Sequence, residues 1–294
     1  MRKQIISTGK NNIMVNTVPY RLYQKAKRHG IWNPEDIDFT QDQADWKKLN
    51  VEQKEEILGL LSQFQGGEEA VTLDLLPLMM VIAKEERLEE EMYLTTFLYE
   101  EAKHTDFFNS VCVAIGEVGD LSHFHTPAYK KVFYEILPCA MDRLRDDHSP
   151  KAIAEAATVY NMFVEGVLAE TGYFAFYSAL EKNGILPGLL EGIRLIQKDE
   201  SRHIAYGTYL LQRLITEDND IFHVVERKME ELTPLAIQFQ EEGMNGNEKD
   251  AFGTPIEVSN NFMMKQLRVR MEILARAKGK TMEEIDRSYS IDID

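Results

Sequence analysis

Residues 94–111, Leu94-Thr-Thr-Phe97-Leu-Tyr-Glu-Glu101-Ala-Lys-His104-Thr-Asp-Phe-Phe108-Asn-Ser-Val111, decide the fold. Leu94, Phe97, Phe108 and Val111 step by three and four, the repeat of one α-helical face, and Glu101 and His104 occupy positions on that same stripe. Residues three apart on a helix share a face, so this helix carries an acid and an imidazole into its own core side. The pattern returns 99 residues later as Ile193, Ile196, Glu200, His203, Gly207, Leu210 and Leu214. Two further segments place a lone glutamate in register: Leu61, Phe64, Glu68, Val71, Leu75, and Met162, Glu165, Leu168, Ala169, Gly172. The expected architecture is all-α, a four-helix bundle whose helices each point acid inward, with additional helices flanking it.

One Glu-x-x-His pair is close to chance, and a lone core histidine is ordinarily just hydrogen-bonded. The six residues together, in two matching halves, are different. Glu68 precedes Glu101 by 33 residues and Glu165 precedes Glu200 by 35, so each half is one helix hairpin contributing three groups. Four carboxylates in a dry bundle repel one another and lose their hydration, so a cation must compensate. Two divalent ions balance four carboxylates with both imidazoles neutral. Oxygen-rich ligation with one nitrogen per ion suits iron or manganese better than zinc. Glu68, Glu101, His104, Glu165, Glu200 and His203 are therefore the expected metal ligands. Their neighbours Glu69, Glu100 and Glu170 fall off the register, and His29, His123, His125, His148 and His223 read as surface residues.

The ligand set spans residues 68 to 203 and must meet in space, so the 294 residues read as one domain. An apolar content of 44% with mean hydropathy −0.33 supports a sizeable core in a soluble chain. No stretch reads as a membrane span and the first ten residues lack a signal peptide's apolar centre, which places the protein in the cytoplasm. Cys112 and Cys139 are too few for a disulfide framework and read as reduced core residues. A formal charge of −16 argues against nucleic acid or an anionic membrane as partner. The run Glu85, Glu86, Glu89, Glu90, Glu91 reads as a solvated helix connection.

Helical periodicity predicts a short helix over Tyr20–His29 and long ones near 52–83, 87–115, 127–146, 150–182, 187–216, 220–243 and 257–277. Residues 1–18 read as an extended arm, Ile31–Phe39 as a loop, and Thr40 or Asp42 as the start of a short helix, Thr40 with Gln43 as a capping box. Pro77 and Pro138 should kink their helices. No run alternates with period two, so no substantial sheet is expected.

Glu68, Glu101-Ala-Lys-His104, Glu165 and Asp199-Glu200-Ser-Arg-His203 resemble the metal-bearing small subunit of class I ribonucleotide reductase, a ferritin-like fold. Trp32-Asn33-Pro34-Glu35-Asp36-Ile37-Asp38 resembles that family's N-terminal segment. The resemblance implies that Asp199 hydrogen-bonds the far side of His104 with Trp32 behind it, fixing the imidazole. In most such subunits a radical tyrosine follows the first histidine by four residues, and here that position is Phe108. Gly67-Glu68-Glu69-Ala70-Val71-Thr72 and Ala157-Thr158-Val159-Tyr160-Asn161-Met162 more closely resemble the ligand-binding oxidases related to that subunit. Their resemblance implies a manganese and iron centre, activation of dioxygen, a long-chain fatty acid ligand in an apolar tunnel, a homodimer, and an ether cross-link between Val71 and Tyr160. Val71, three residues after Glu68, faces the site. Tyr160 precedes Glu165 by five, which turns it away on a regular helix, so a local distortion is required.

Other readings are a reductase small subunit without the radical tyrosine, a ferritin-type storage protein, and a metal-free acidic scaffold. A large catalytic partner, a shell-sized assembly and the absence of bound iron or manganese would mark them respectively.

Overall fold

The computed structural model describes residues 13–289, so most of the 1–18 arm lies outside the described residues. Helix α1 (Val18–His29) leads through a loop with one 3-10 turn, Pro34–Asp36, into α2 (Thr40–Trp46). The hairpin α3 (Val51–Lys84) and α4 (Leu88–Ile115) follows. Next come α5 (residues 127–142), α6 (Pro150–Glu181) and α7 (Pro187–Glu217), then α8 (Ile221–Gly243), α9 (Ile256–Ala275) and α10 (Met282–Ser288). Among the described residues there is no strand, only an isolated bridge between Lys249 and Pro255.

Local chemistry explains the boundaries. Asn50 and Gln53 form a reciprocal capping box that starts α3, and Gly116, at φ 85°, ends α4 in the left-handed region that glycine tolerates. The expected box at Thr40 does not form. Asp38 instead accepts the Thr40 N–H at 2.8 Å, and Thr40 is already the first helical residue. The Asp42 carboxylate accepts the backbone N–H groups of Gly188 and Leu189 at 2.9 and 2.8 Å, so α2 caps the start of α7.

Helices α3, α4, α6 and α7 form the bundle, and its interior has three layers. One apolar cluster takes Val71 to Ile82 of α3, Tyr93 and Phe97 of α4, much of α6 and Tyr206 to Ile215 of α7. A second takes Ile57 to Phe64, Phe107 to Cys112, Tyr173 to Leu180 and Leu189 to Ile196 from the same helices. The glutamates and histidines lie between them. Each fully buried Leu, Ile or Phe contributes about 1.5–3 kcal/mol, so the hydrocarbon halves clamp an acidic layer that would not assemble alone.

Helix α6 departs from α-geometry: residues Thr158–Ala169 wind as a π-helix, as do Tyr177–Glu181 and, in α5, Lys131–Ile136 just before Pro138. A proline without an N–H removes a helical bond at that point of α5. Three expectations change. Helix α6 is long and apolar enough to cross a membrane by length and composition, yet 89% of its apolar window is buried inside the bundle. Cys112 is buried as expected, but Cys139 is exposed. In the acidic run, Glu89 and Glu90 are buried rather than solvated, Glu90 against Arg213.

Candidate metal centre

All six expected ligands converge between the two apolar layers, and each is at most 6% exposed. His104 Nδ1 lies 3.5 Å from Glu68 Oε2, 3.5 Å from Glu101 Oε2 and 3.3 Å from Glu200 Oε1. His203 Nδ1 lies 3.4 Å from Glu101 Oε1, 3.4 Å from Glu200 Oε1 and 3.9 Å from Glu165 Oε1. Two ligand groups result, Glu68, Glu101, His104 and Glu200 beside Glu101, Glu165 and His203. Glu101 presents one oxygen to each group, and Glu200 Oε1 approaches both imidazoles, so these two carboxylates are placed to bridge.

The donor set itself tests the fit of a metal pair. Glu101 Oε2, His104 Nδ1, Glu165 Oε1, Glu200 Oε2 and His203 Nδ1 are buried without hydrogen-bond partners, and all five belong to residues of the two ligand groups. Native interiors rarely leave such atoms unsatisfied, and five in one spot fit a pair of cations. The protonation pattern agrees. Burial holds Glu68 well above the ordinary carboxylate range despite nearby His104, and burial reinforced by Glu200 does the same to Glu165. Burial also pushes on Glu101, but His203 and His104 overcome it and hold that carboxyl low.

The surroundings orient the imidazoles from behind. Asp199 Oδ2 lies 3.3 Å from His104 Nε2 and accepts the Trp32 indole N–H at 2.8 Å, with the Trp32 ring stacked at 6.2 Å from His104. Glu100, read as an off-register neighbour, is in fact buried, with Oε2 2.9 Å from His203 Nε2. Arg202 bonds both Glu100 and Asp199, and Lys103 Nζ lies 2.8 Å from Asp199 Oδ2. The signal was present in the sequence, because both motifs read acid-Glu-x-base-His: Glu100-Glu101-Ala-Lys103-His104 and Asp199-Glu200-Ser-Arg202-His203. Each leading acid serves the other motif's histidine. The outer acids and bases thus neutralise one another, leaving the inner carboxylates for the ions.

Tyr160 and Val71 also meet. The Tyr160 hydroxyl donates to the Val71 carbonyl at 3.0 Å and lies 3.3 Å from Glu101 Oε1. The π-helix supplies the required distortion, since residues five apart share a face when the winding is i to i+5. Asn161, next in that segment, donates to Glu165 Oε2 at 2.9 Å. Phe108 packs on Phe64 at 5.2 Å, with no hydroxyl at that position.

A cavity of about 830 Å³ opens from Glu68, Glu101, Glu165 and Glu200 past Val71, Phe64 and Leu168 toward the 244–255 loop. Its size suits a small-molecule ligand. Sequence reading missed Tyr173, which lines this cavity with a buried hydroxyl lacking a partner, and it misjudged His125. That ring is half-buried, stacked on Tyr129 and bonded to Tyr134 Oη and the Ser62 carbonyl. Only a register count of eight from Glu165 could have pointed to Tyr173.

Buried Glu and His groups from four helices, sharing carboxylates, define a dinuclear metal carboxylate protein of the ferritin-like class. The family Ribonucleotide reductase, small chain, matches residues 12–268. A solved R2-like ligand-binding oxidase with aerobically reconstituted Mn/Fe cofactor is 42% identical, at TM-score 0.88, over 93% of this chain and 98% of that one. A mutant R2-like ligand-binding oxidase with aerobically reconstituted Fe/Fe cofactor is 41% identical, at TM-score 0.88, over 93% and 99%. The chain belongs to the ribonucleotide reductase small chain family, and within it to the R2-like ligand-binding oxidases.

Proposed function

We propose that this protein is an oxygen-activating oxidoreductase with a dinuclear manganese and iron centre, a diiron pair being the second possible filling. The observation that carries this reading is the set of five orphaned donor atoms contributed by three bundle helices, α4, α6 and α7. Glu68 and His104 would hold one ion, Glu165 and His203 the other, with Glu101 and Glu200 between them. Asp199, Glu100 and Trp32 orient the imidazoles. Bound there, the metal pair supplies reducing equivalents to dioxygen and the oxidising power for a nearby C–H bond.

The chain's own residues set what is oxidised. Val71 borders both the carboxylates and the cavity, and the Tyr160 hydroxyl is held against its backbone, so an ether bond between the two side chains is the proposed internal product. The apolar walls given by Phe64, Leu168 and Phe133 suit a long-chain fatty acid or similar ligand, its carboxylate turned to the metals. Phe108 removes the phenol a reductase small subunit would use, which favours the oxidase over that alternative. We further treat residues 1–294 as one domain and the active species as a cytoplasmic homodimer, which light scattering would test.

The test is aerobic loading with manganese and iron, followed by elemental analysis and a peptide map. About two metals per chain and loss of two hydrogens joining the peptides of Val71 and Tyr160 are expected. Separate peptides under full loading would remove the cross-link, and absence of stoichiometric metal would remove the oxidase.

A further inference from the structure

A second group of buried tyrosines packs in the same apolar cluster as Val71 and Tyr160, with the Phe97 ring 6.0 Å from that of Tyr160, and nothing above gives it a chemical role. The His203 ring is stacked on Phe97 with centroids 3.7 Å apart and planes within 8°. Phe97 meets Tyr93 edge-on at 6.0 Å, and Tyr93 lies 5.2 Å from Tyr206. The Tyr206 hydroxyl donates to Glu90 Oε2 at 3.0 Å. Glu90 Oε1 then lies 3.5 Å from Arg213 Nε and 3.8 Å from Arg87 Nε, and Arg87 reaches the surface beside Glu85 and Glu217.

Packing alone does not account for these residues. Tyr93 and Tyr206 are fully buried, and the Tyr93 hydroxyl has no hydrogen-bond partner, so phenylalanine would fill the same space at lower cost. A buried Glu–Arg pair is commonly no more stable than hydrocarbon of the same volume. What the set does have is an aromatic contact series from a metal-site imidazole to a phenol whose proton has an acceptor within reach.

We propose that Tyr206 is a proton-coupled one-electron donor to the metal centre, with Tyr93 and Phe97 as the route and Glu90 as the proton acceptor. This rests on the oxidase reading, in which dioxygen is the terminal oxidant. In the step, one electron leaves the Tyr206 ring toward His203 and the Oη–H bond breaks. The proton passes to Glu90 Oε2, and the remaining phenoxyl radical is restored by one electron from an external one-electron reductant together with that same proton. Burial keeps the Tyr206 phenol protonated until an electron departs, and burial also raises Glu90 against the pull of Arg213 and Arg87, making it the better acceptor.

The test uses the full chain, loaded with manganese and iron, grown with ring-deuterated tyrosine, mixed with dioxygen and freeze-quenched for electron paramagnetic resonance. A tyrosyl signal narrowed by deuteration is expected in the parent protein and in the surface control Tyr99→Phe, and its loss in Tyr206→Phe. Tyr93→Phe should slow its appearance, and Glu90→Gln should slow it on the order of a hundredfold, the usual weight of a positioned proton acceptor. Thermal melts and metal content of each variant separate this from unfolding: a destabilised Glu90→Gln leaves the Tyr206→Phe and Tyr93→Phe comparison to decide. Two metals per chain with no tyrosyl signal, or with a signal that survives Tyr206→Phe, overturns the donor assignment and leaves the oxidase standing. Failure to bind the metals overturns both.

Discussion

At the level of single residues, the side chains behind the ligands separate a metal site from a mere acidic core. Glu100 contacts no expected ligand atom on the inner side, yet its carboxylate lies 2.9 Å from His203 Nε2 and also holds Arg202. Glu100→Gln keeps the shape but removes the charge that favours donation from that imidazole N–H. Metal affinity, read by competition with a chelator, should fall about 10–100-fold. An unchanged affinity would mean that His203 needs no such support. Phe108 gives a complementary case. It is fully buried against Phe64 and Phe107, so Phe108→Tyr adds a polar hydroxyl to a packed aromatic cluster. Denaturant melts should show a loss of about 1–3 kcal/mol. A neutral result would reveal an unrecognised partner for the new phenol.

Among the elements, the four bundle helices were legible because each combines a long apolar period with one acid in register, and their ends came within a few residues. The π-helical winding of residues 158–169 was legible only as a contradiction: Tyr160 and Glu165, five apart, could not share a face on an α-helix. Glu100, Arg202 and Lys103 were not found because their role depends on which helix lies opposite, and periodicity within one helix does not give that. The loop over the cavity was equally opaque. There Ala251 donates its N–H to Glu56 Oε2 at 2.5 Å, tying the 244–255 segment to α3 beside the cavity wall. Burial, reinforced by Asp250, raises the Glu56 carboxyl from 4.5 to about 7. Because the folded value is the higher one, Glu56 favours the folded state most below pH 4.5, and that contribution is lost as pH rises to about 7. Glu56→Gln keeps an acceptor for Ala251 and does not ionise. The melting temperature of the parent relative to the variant should therefore fall between pH 4.5 and about 7 and then level off. A constant difference across that window would show that Glu56 ionises normally.

For the whole molecule, two hydrocarbon layers enclose an acidic one, and without metal only protons can relieve it. Burial raises Glu68 and Glu165. Both imidazoles are raised too, although burial itself lowers them, because Glu68 prevails at His104 and Glu200 at His203. For these groups the folded state binds protons more tightly than the unfolded chain, so the metal-free protein is favoured in acid and loses that stability as pH rises. Glu101, held low by the imidazoles against burial, runs the other way and partly offsets them. Metal binding needs the carboxylates ionised and the imidazoles neutral, so it must release protons, and its stabilisation must grow with pH. Linkage sets the scale, about 2.7 kcal/mol when free metal is a hundred times the dissociation constant. The gap in melting temperature between loaded and metal-free protein should accordingly be wider at pH 8 than at pH 5. Calorimetric titration in two buffers of different ionisation enthalpy should show net proton release at each pH. If the gap is flat and no protons appear, the buried carboxylates are already ionised without metal, and the charge balance on which the two-ion centre depends is wrong.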